Sequence, residues 1–252
     1  MNRVWFVGAG PGDPQLLTLR GAQLLQHSRE VFAFPPFGET FGELLEGKTI
    51  RDPFDYSFAG LRDLLHSLLQ HGDVVFLVPG DLAFFCPFQP LIDALGERAA
   101  VVPGVGNANA AAAALKRTLN LSGVCSRTVL VSGRHLAKHP DGLQLPQLCS
   151  PGTTLLLYMN TLPVTELVTQ LRHGYGGNVP IALLHRLGLP GQDILLTDLD
   201  SLVPRVAGRD YFATSGAVRS SLTLIVAGEA LTAMADEAWW DQRAACRGEL
   251  DS

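Results

Sequence analysis

Three segments in the N-terminal half share one pattern: an apolar run, a glycine-containing turn, then a helix-like stretch. They are Gly8-Ala9-Gly10-Pro11-Gly12-Asp13, Pro79-Gly80-Asp81 and Pro103-Gly104-Val105-Gly106-Asn107. Glycine lets a ligand approach the backbone closely, and exposed amides at such turns hold polar groups. In a parallel α/β sheet these turns fall at the carboxyl ends of the strands, where ligands bind. Any one of them is equally readable as punctuation between strand and helix. Three in one half of the chain point to a nucleotide-like or adenosyl ligand. A dinucleotide site is disfavoured: the third glycine of that fingerprint would fall at Asp13, and Phe32-Ala33-Phe34 stand where the ribose-binding acid belongs. The chain has no Walker lysine and no G-x-S-x-G elbow.

A second concentration of chemistry is Arg134-His135-Leu136-Ala137-Lys138-His139, the most basic segment of an acidic chain. It reads either as an exposed loop or as a holder of substrate carboxylates. His135 and His139 have the i, i+4 spacing of a metal pair with Asp141 close by. Pro140 opposes a continuing helix there, and no third strong ligand is in view, so the segment reads as a solvated loop and no metal is assigned. Asp13 and Asp81 have the position of helix caps.

The elements that must position these turns follow from apolar spacing. Val4–Val7, Val31–Phe34, Val74–Val78 and Ala99–Val102 read as buried strands. Pro14–His27, Leu61–Leu69, Phe88–Leu95 and the alanine-rich Ala108–Leu115 read as helices. Such alternation implies a mostly parallel sheet covered on both faces. From about Ser122 the texture changes. Arg127–Ser132, Thr153–Met159, Pro180–His185, Ile194–Thr197 and Ser221–Ala227 are strand-like, and Val164–Arg172 is the one long helix among them. That ratio predicts a mixed sheet and a boundary near residue 120, giving domains 1–120 and 121–252. Leu202–Ser220 is weakly patterned and reads as a flexible insertion.

Composition bounds the rest. In 252 residues, 19 Lys+Arg stand against 24 Asp+Glu for a formal charge of −5, with 47% hydrophobic and 17% charged residues. That is rich enough in apolar residues for a large core and far from disorder. The acidic balance, with a sequence pI of 5.8, argues against a nucleic-acid partner. Every apolar run is broken before it reaches membrane-spanning length, and the N-terminus lacks a signal-peptide layout. The cysteines Cys86, Cys125, Cys149 and Cys246 form no C-x-x-C pair. A cytoplasmic globular protein is the expectation.

The opening Val7-Gly8-Ala9-Gly10-Pro11-Gly12-Asp13-Pro14, followed by Leu17-Thr18-Leu19-Arg20-Gly21, resembles the N-terminal signature of the tetrapyrrole (corrin/porphyrin) methylases, which use S-adenosylmethionine. Pro79-Gly80-Asp81 stands where that family has a Gly-Asp-Pro loop, and Pro103-Gly104-Val105 before the alanine helix is similar to its next motif. Thr153–Met159, Val179-Pro180-Ile181-Ala182 and Leu224–Glu229 match the C-terminal half in order and spacing. The likeness spans nearly the whole chain. It implies two α/β domains, a homodimer, and S-adenosylmethionine in a cleft between the domains, released as S-adenosylhomocysteine. By position, Pro11, Gly80, Asp81, Phe84, Gly106, Asn107, Met159, Ala182 and Leu187 would line that site, largely through backbone. The implied reaction is C-methylation of a tetrapyrrole, whose carboxylates Arg134, Lys138, His139 and Arg186 are placed to hold.

The Ser132-Gly133-Arg134 half is most similar to the precorrin-4 and uroporphyrinogen III C-methyltransferases. Two departures stand out. The Gly-Asp-Pro loop reads Gly80-Asp81-Leu82, with Phe84-Phe85-Cys86 just beyond in place of small residues. The acid carried after the second strand by uroporphyrinogen-type members is also absent, since Phe34-Pro35 stand there. That absence favours the cobalamin pathway at the C11 step on precorrin-4. A methylase-like domain that binds adenosyl ligand without turnover, and a methyltransferase with a macromolecular acceptor, are the alternatives.

Overall fold

The computed structural model describes residues 1–136, 138, 142–212 and 222–237. The chain forms two compact units, Met1–Ala111 with Arg186–Gln192, and Ala112–His185 with Asp193–Ser252. His139, Pro140, Asp141, Ser221 and Cys246 lie outside the described residues.

The first unit runs β1 (Val4–Gly8), α1 (Leu19–His27), β2 (Glu30–Phe32), α2 (Phe37–Thr40), α3 (Gly42–Leu45), β3 (Thr49–Arg51), α4 (Phe58–Leu68), β4 (Val74–Val78), α5 (Gln89–Leu95), β5 (Ala99–Val102) and the start of α6 (Asn107–Leu115). Its strands form one parallel sheet in the order β3-β2-β4-β1-β5. All of β4 is buried, as a central strand covered on both faces requires. Side chains alternate across the sheet. Phe6, Val74, Phe76 and Val78 enter one core with Leu61, Leu65 and Leu91, while Val7, Val75 and Leu77 enter another with Leu25, Phe37, Phe41 and Leu45.

Three expectations change here. The single helix expected over Pro14–His27 is two pieces. A 3-10 turn, Pro14–Leu16, is capped by Asp13, and α1 restarts after Thr18, whose extended backbone lets its hydroxyl accept from the Gly21 amide at 3.1 Å. Leu19, at the first position of α1, is consequently exposed. The strand expected to reach Phe34 ends at Phe32, because the Phe34 carbonyl turns to accept from the Phe37 amide. Pro35–Tyr56, to which apolar spacing assigns no element, supplies β3 and two short helices whose Phe37, Phe41 and Leu45 are core residues.

The second unit contains β6 (Arg127–Ser132), α7 (Gly133–Leu136), α8 (Leu145–Leu148), β7 (Thr153–Tyr158), α9 (Val164–Tyr175), β8 (Pro180–His185), β9 (Asp193–Asp198), α10 (Leu199–Val206) and β10 (Thr223–Ala227). Its sheet is mixed, in the order β6-β7-β10-β8-β9, with β6 and β7 parallel and the other pairs antiparallel. The start of the supposed insertion at Leu202 is regular helix instead. Asp198 caps α10, and Leu199, Leu202 and Val206 are buried; Pro204 inside the helix hid the pattern. The α/β class, a mostly parallel sheet followed by a mixed one, is as the alternation predicts. Among the described residues no helix is long and apolar enough to cross a membrane.

Tyr175 closes α9 onto this sheet. Its buried phenol reaches the Ala227 carbonyl at 2.9 Å and the Thr153 carbonyl at 3.2 Å. Tyr175→Phe should lower unfolding free energy by about 1–2 kcal/mol in urea titration, because the one phenol proton shared by two buried carbonyls is lost. Cys149, buried beside it, has its thiol pushed up to about 12 by burial. This protonated thiol contributes stability that is whole below about pH 8.5, the unfolded value, and is lost as pH rises through the folded one. Urea midpoints should therefore fall with pH in that alkaline window, and fall less in Cys149→Ala.

Candidate active site

The three glycine turns meet at the carboxyl ends of β1, β4 and β5, which are neighbours in the sheet. They touch backbone to backbone. Gly10 and Gly80 form a two-way bridge, with Gly10 donating to the Gly80 carbonyl at 3.0 Å and Gly80 to the Gly10 carbonyl at 2.7 Å. A Cβ on Gly104 would lie 2.5 Å from the carbonyl oxygens of both Gly8 and Gly80, and one on Gly8 would lie 2.5 Å from the Gly104 nitrogen. No side chain fits at either position.

Asp81 braces the same junction. One carboxylate oxygen accepts from the Ala83 amide at 2.6 Å and the other from the Gly104 amide at 2.9 Å. The helix cap expected of Asp81 is thus a link between two loops, whereas Asp13 does cap its 3-10 turn. Asn107 begins α6 beside Gly80, and Gly106 lies against the Asp81 methylene. Leu187 belongs to Arg186–Gln192, which packs on the first turn: a Cβ on Gly188 would meet the Pro11 ring at 2.8 Å, and one on Gly12 would meet Leu189. Pro11, Gly80, Asp81, Gly106, Asn107 and Leu187 therefore belong to one cluster of loops. Phe84 extends from the Gly80-Asp81 loop and is 54% exposed.

In the second unit Met159 follows β7 with φ +48, a left-handed conformation that costs a non-glycine residue about 1–3 kcal/mol. Gly133 makes that turn possible to pack, since a Cβ there would lie 2.9 Å from the Met159 carbonyl oxygen. Arg134 is the next residue, in the single-turn α7, and Lys138 is exposed beyond it. Ala182 sits in mid-β8, fully buried and paired with Val226 and Leu196. Arg186 is in the first unit, its Nε donating to the Pro190 carbonyl at 2.7 Å. His139 is outside the described residues.

The positions without the expected acid are aromatic. Phe34 packs on Phe54 at 5.0 Å and on Phe88 at 5.8 Å between ring centroids. Cys86, on the same loop as Phe84, has its thiol pushed up by burial, with a further push from the Asp81 charge. It stays protonated at neutral pH and is no thiolate nucleophile. Among the described residues no group of three or more His, Cys, Asp or Glu side chains could hold a metal. What remains is a glycine-lined cluster of backbone donors and acceptors, suited to aligning a ligand rather than to exchanging protons with it.

The roles of Gly133 and Gly188 escaped the sequence reading. Each glycine answers to a partner distant in the chain, and nothing local marks it.

The model of the tetrapyrrole (corrin/porphyrin) methylases matches residues 3–203, which include all three turns and every strand from β1 to β9. The chain belongs to that family. It is accordingly a methyltransferase. It is 31% identical over 239 residues to a precorrin-4 C(11)-methyltransferase of Mycobacterium tuberculosis, covering 91% of this chain and 92% of that one. A protein of the same description from Pseudomonas aeruginosa is 28% identical over 235 residues, covering 91% of each. A siroheme synthase of Nitrosospira multiformis is 30% identical, but this chain spans only 51% of its length. The fold matches a cobalt precorrin-4 methyltransferase, with a TM-score of 0.75 and 22% identity over 92% of this chain and 96% of that one. It also matches a Thermus thermophilus uroporphyrin-III C-methyltransferase complexed with S-adenosylhomocysteine, at a TM-score of 0.67 and 24% identity over 94% and 96% of the two chains.

Gly104→Ala should lower unfolding free energy by at least about 2 kcal/mol, since only backbone stands in the way and it cannot yield. Gly38→Ala, with no atom within 4 Å of the added Cβ, should be neutral or stabilising by up to about 1 kcal/mol. Urea unfolding of the two variants checks the contrast.

Proposed function

We propose that this methyltransferase uses S-adenosylmethionine to methylate a ring carbon of a corrin precursor in cobalamin biosynthesis, at C11 of precorrin-4. The observation that carries the reading is the end-to-end likeness to two precorrin-4 C(11)-methyltransferases, each covered over nine-tenths of its length. The siroheme synthases are matched over only about half, and the aromatic cluster at Phe34 supports the same choice.

The loop cluster fits an adenosyl ligand. A Cβ on Gly80 would meet nothing nearer than the Asn107 amide nitrogen at 3.5 Å, so the turn leaves space, and its φ of +66 presents backbone there. Gly80, Asp81, Gly106 and Asn107 would hold the ligand with Pro11, Phe84 and Leu187, and the family resemblance adds Met159 and Ala182. The ligand supplies a methyl already activated on a sulfonium. The protein's part is alignment, which contributes about 7 kcal/mol or more when two reactants are held in near-attack geometry. Asp81 serves this indirectly, since both its oxygens are engaged in fixing the loops. Arg134, Lys138, His139 and Arg186 are proposed to hold acceptor carboxylates. A homodimer in the cytoplasm completes the proposal.

Calorimetric titration with S-adenosylhomocysteine should show micromolar binding (on the order of −8 kcal/mol) that is lost in Gly80→Trp. Purified protein should transfer methyl from S-adenosylmethionine to precorrin-4 and not to uroporphyrinogen III. No binding by folded wild type, or transfer to uroporphyrinogen III alone, would overturn the assignment.

A further inference from the structure

Arg186 combines features that an ordinary surface arginine lacks. Its backbone is left-handed, at φ +50, in a residue with a full side chain. Its side chain then folds back over its own loop, where Nε donates to the Pro190 carbonyl at 2.7 Å. Gly191, at φ +78, lies directly beneath it: a Cβ there would stand in ordinary contact, 3.6 Å from Nε and 3.8 Å from Cδ. The loop is closed by three more bonds, Leu189 amide to Arg186 carbonyl at 2.9 Å, Gln192 amide to Leu189 carbonyl at 3.1 Å, and Gly188 amide to Gln192 Oε1 at 2.7 Å. The loop in turn packs through Gly188 and Leu189 on Pro11 and Gly12.

The guanidinium is held through Nε, and its two terminal nitrogens have no hydrogen bond among the described residues. Arg51, Arg62, Arg172 and Arg209 each pair with a carboxylate, whereas Arg186 has no ion-pair partner among the described residues. A planar fork with its orientation already set loses less entropy on binding a carboxylate than a free side chain does.

We propose that Arg186 is a specificity-determining residue for the methyl acceptor, its two terminal nitrogens forming a preset fork for one peripheral carboxylate of a polycarboxylate tetrapyrrole. This rests on the functional reading above. The anchor to Pro190 fixes where the fork points, so the residue selects acceptors by the position of a carboxylate. Lysine, with one point charge and no second nitrogen to anchor, cannot reproduce it.

The test separates acceptor binding from cofactor binding and from turnover. Uroporphyrin III, an octacarboxylate whose fluorescence reports binding, is titrated into wild type, Arg186→Gln and Arg186→Lys, with S-adenosylhomocysteine titrated calorimetrically in parallel. Arg186→Gln should weaken uroporphyrin binding about tenfold or more and leave S-adenosylhomocysteine affinity unchanged, with Arg186→Lys recovering only part of the loss. On precorrin-4 the same substitution should raise the acceptor KM. Equal uroporphyrin binding by wild type and Arg186→Gln overturns the proposal, as does a parallel loss of both ligands, which would assign Arg186 to the loop's architecture alone. If binding follows the expected pattern but wild type methylates no tetrapyrrole, the fork stands and the catalytic reading falls. Absence of uroporphyrin binding by wild type overturns the proposal, and absence of precorrin-4 methylation as well overturns the functional reading with it.

Discussion

The close approach of three backbones at Gly8, Gly80 and Gly104 sets the terms for the first unit. Parallel strands β1, β4 and β5 end side by side, and their connections must leave the sheet through the same small volume. Two would-be Cβ positions there lie at 2.5 Å from main-chain atoms, a separation that no rotamer change relieves. Glycine at these places is thus a packing requirement before it is a ligand-binding one. The Gly10–Gly80 bridge and the two-armed Asp81 carboxylate then convert three separate turns into one braced surface. A surface of this kind holds its donors and acceptors in place before a ligand arrives, which suits a reaction whose main demand is alignment.

The same economy recurs elsewhere within each unit. Gly188 and Gly12 allow the Arg186–Gln192 segment to lie on the first turn, and Gly133 allows the left-handed Met159 turn to pack. The described non-glycine residues with positive φ are Phe85, Lys116, Met159 and Arg186. Phe85, Met159 and Arg186 are themselves in, or directly adjoin, residues proposed above to hold ligands. Strain concentrated there is what a preorganised site carries. Around Phe34 the chemistry differs: Phe34, Phe54 and Phe88 pack ring against ring at the position that lacks the acid.

Much of this was legible beforehand because the signals are local. Short apolar runs located the strands, period-3.6 apolar spacing located most helices, and the repeated strand-glycine-helix pattern located the turns. Where the reading slipped, a local rule competed with another. Thr18 restarted a helix that Leu spacing ran straight through, and Pro204 masked a capped helix that buries Leu199, Leu202 and Val206. Pro35–Tyr56 hid β3 because a three-residue edge strand is too short for periodicity to register.

The sequence by itself determined the fold class, the family and the identity of the turns, since each is written in residue types a few positions apart. Only the tertiary structure decided what those turns do to one another. That Asp81 spans to Gly104, that Gly188 faces Pro11, and that Gly133 shelters the Met159 carbonyl are facts about residues 23 to 177 positions apart or on separate elements. Such pairs leave no trace in local spacing. They arise because folding a parallel sheet brings the ends of distant strands together, and close packing then dictates which of those ends can carry a side chain.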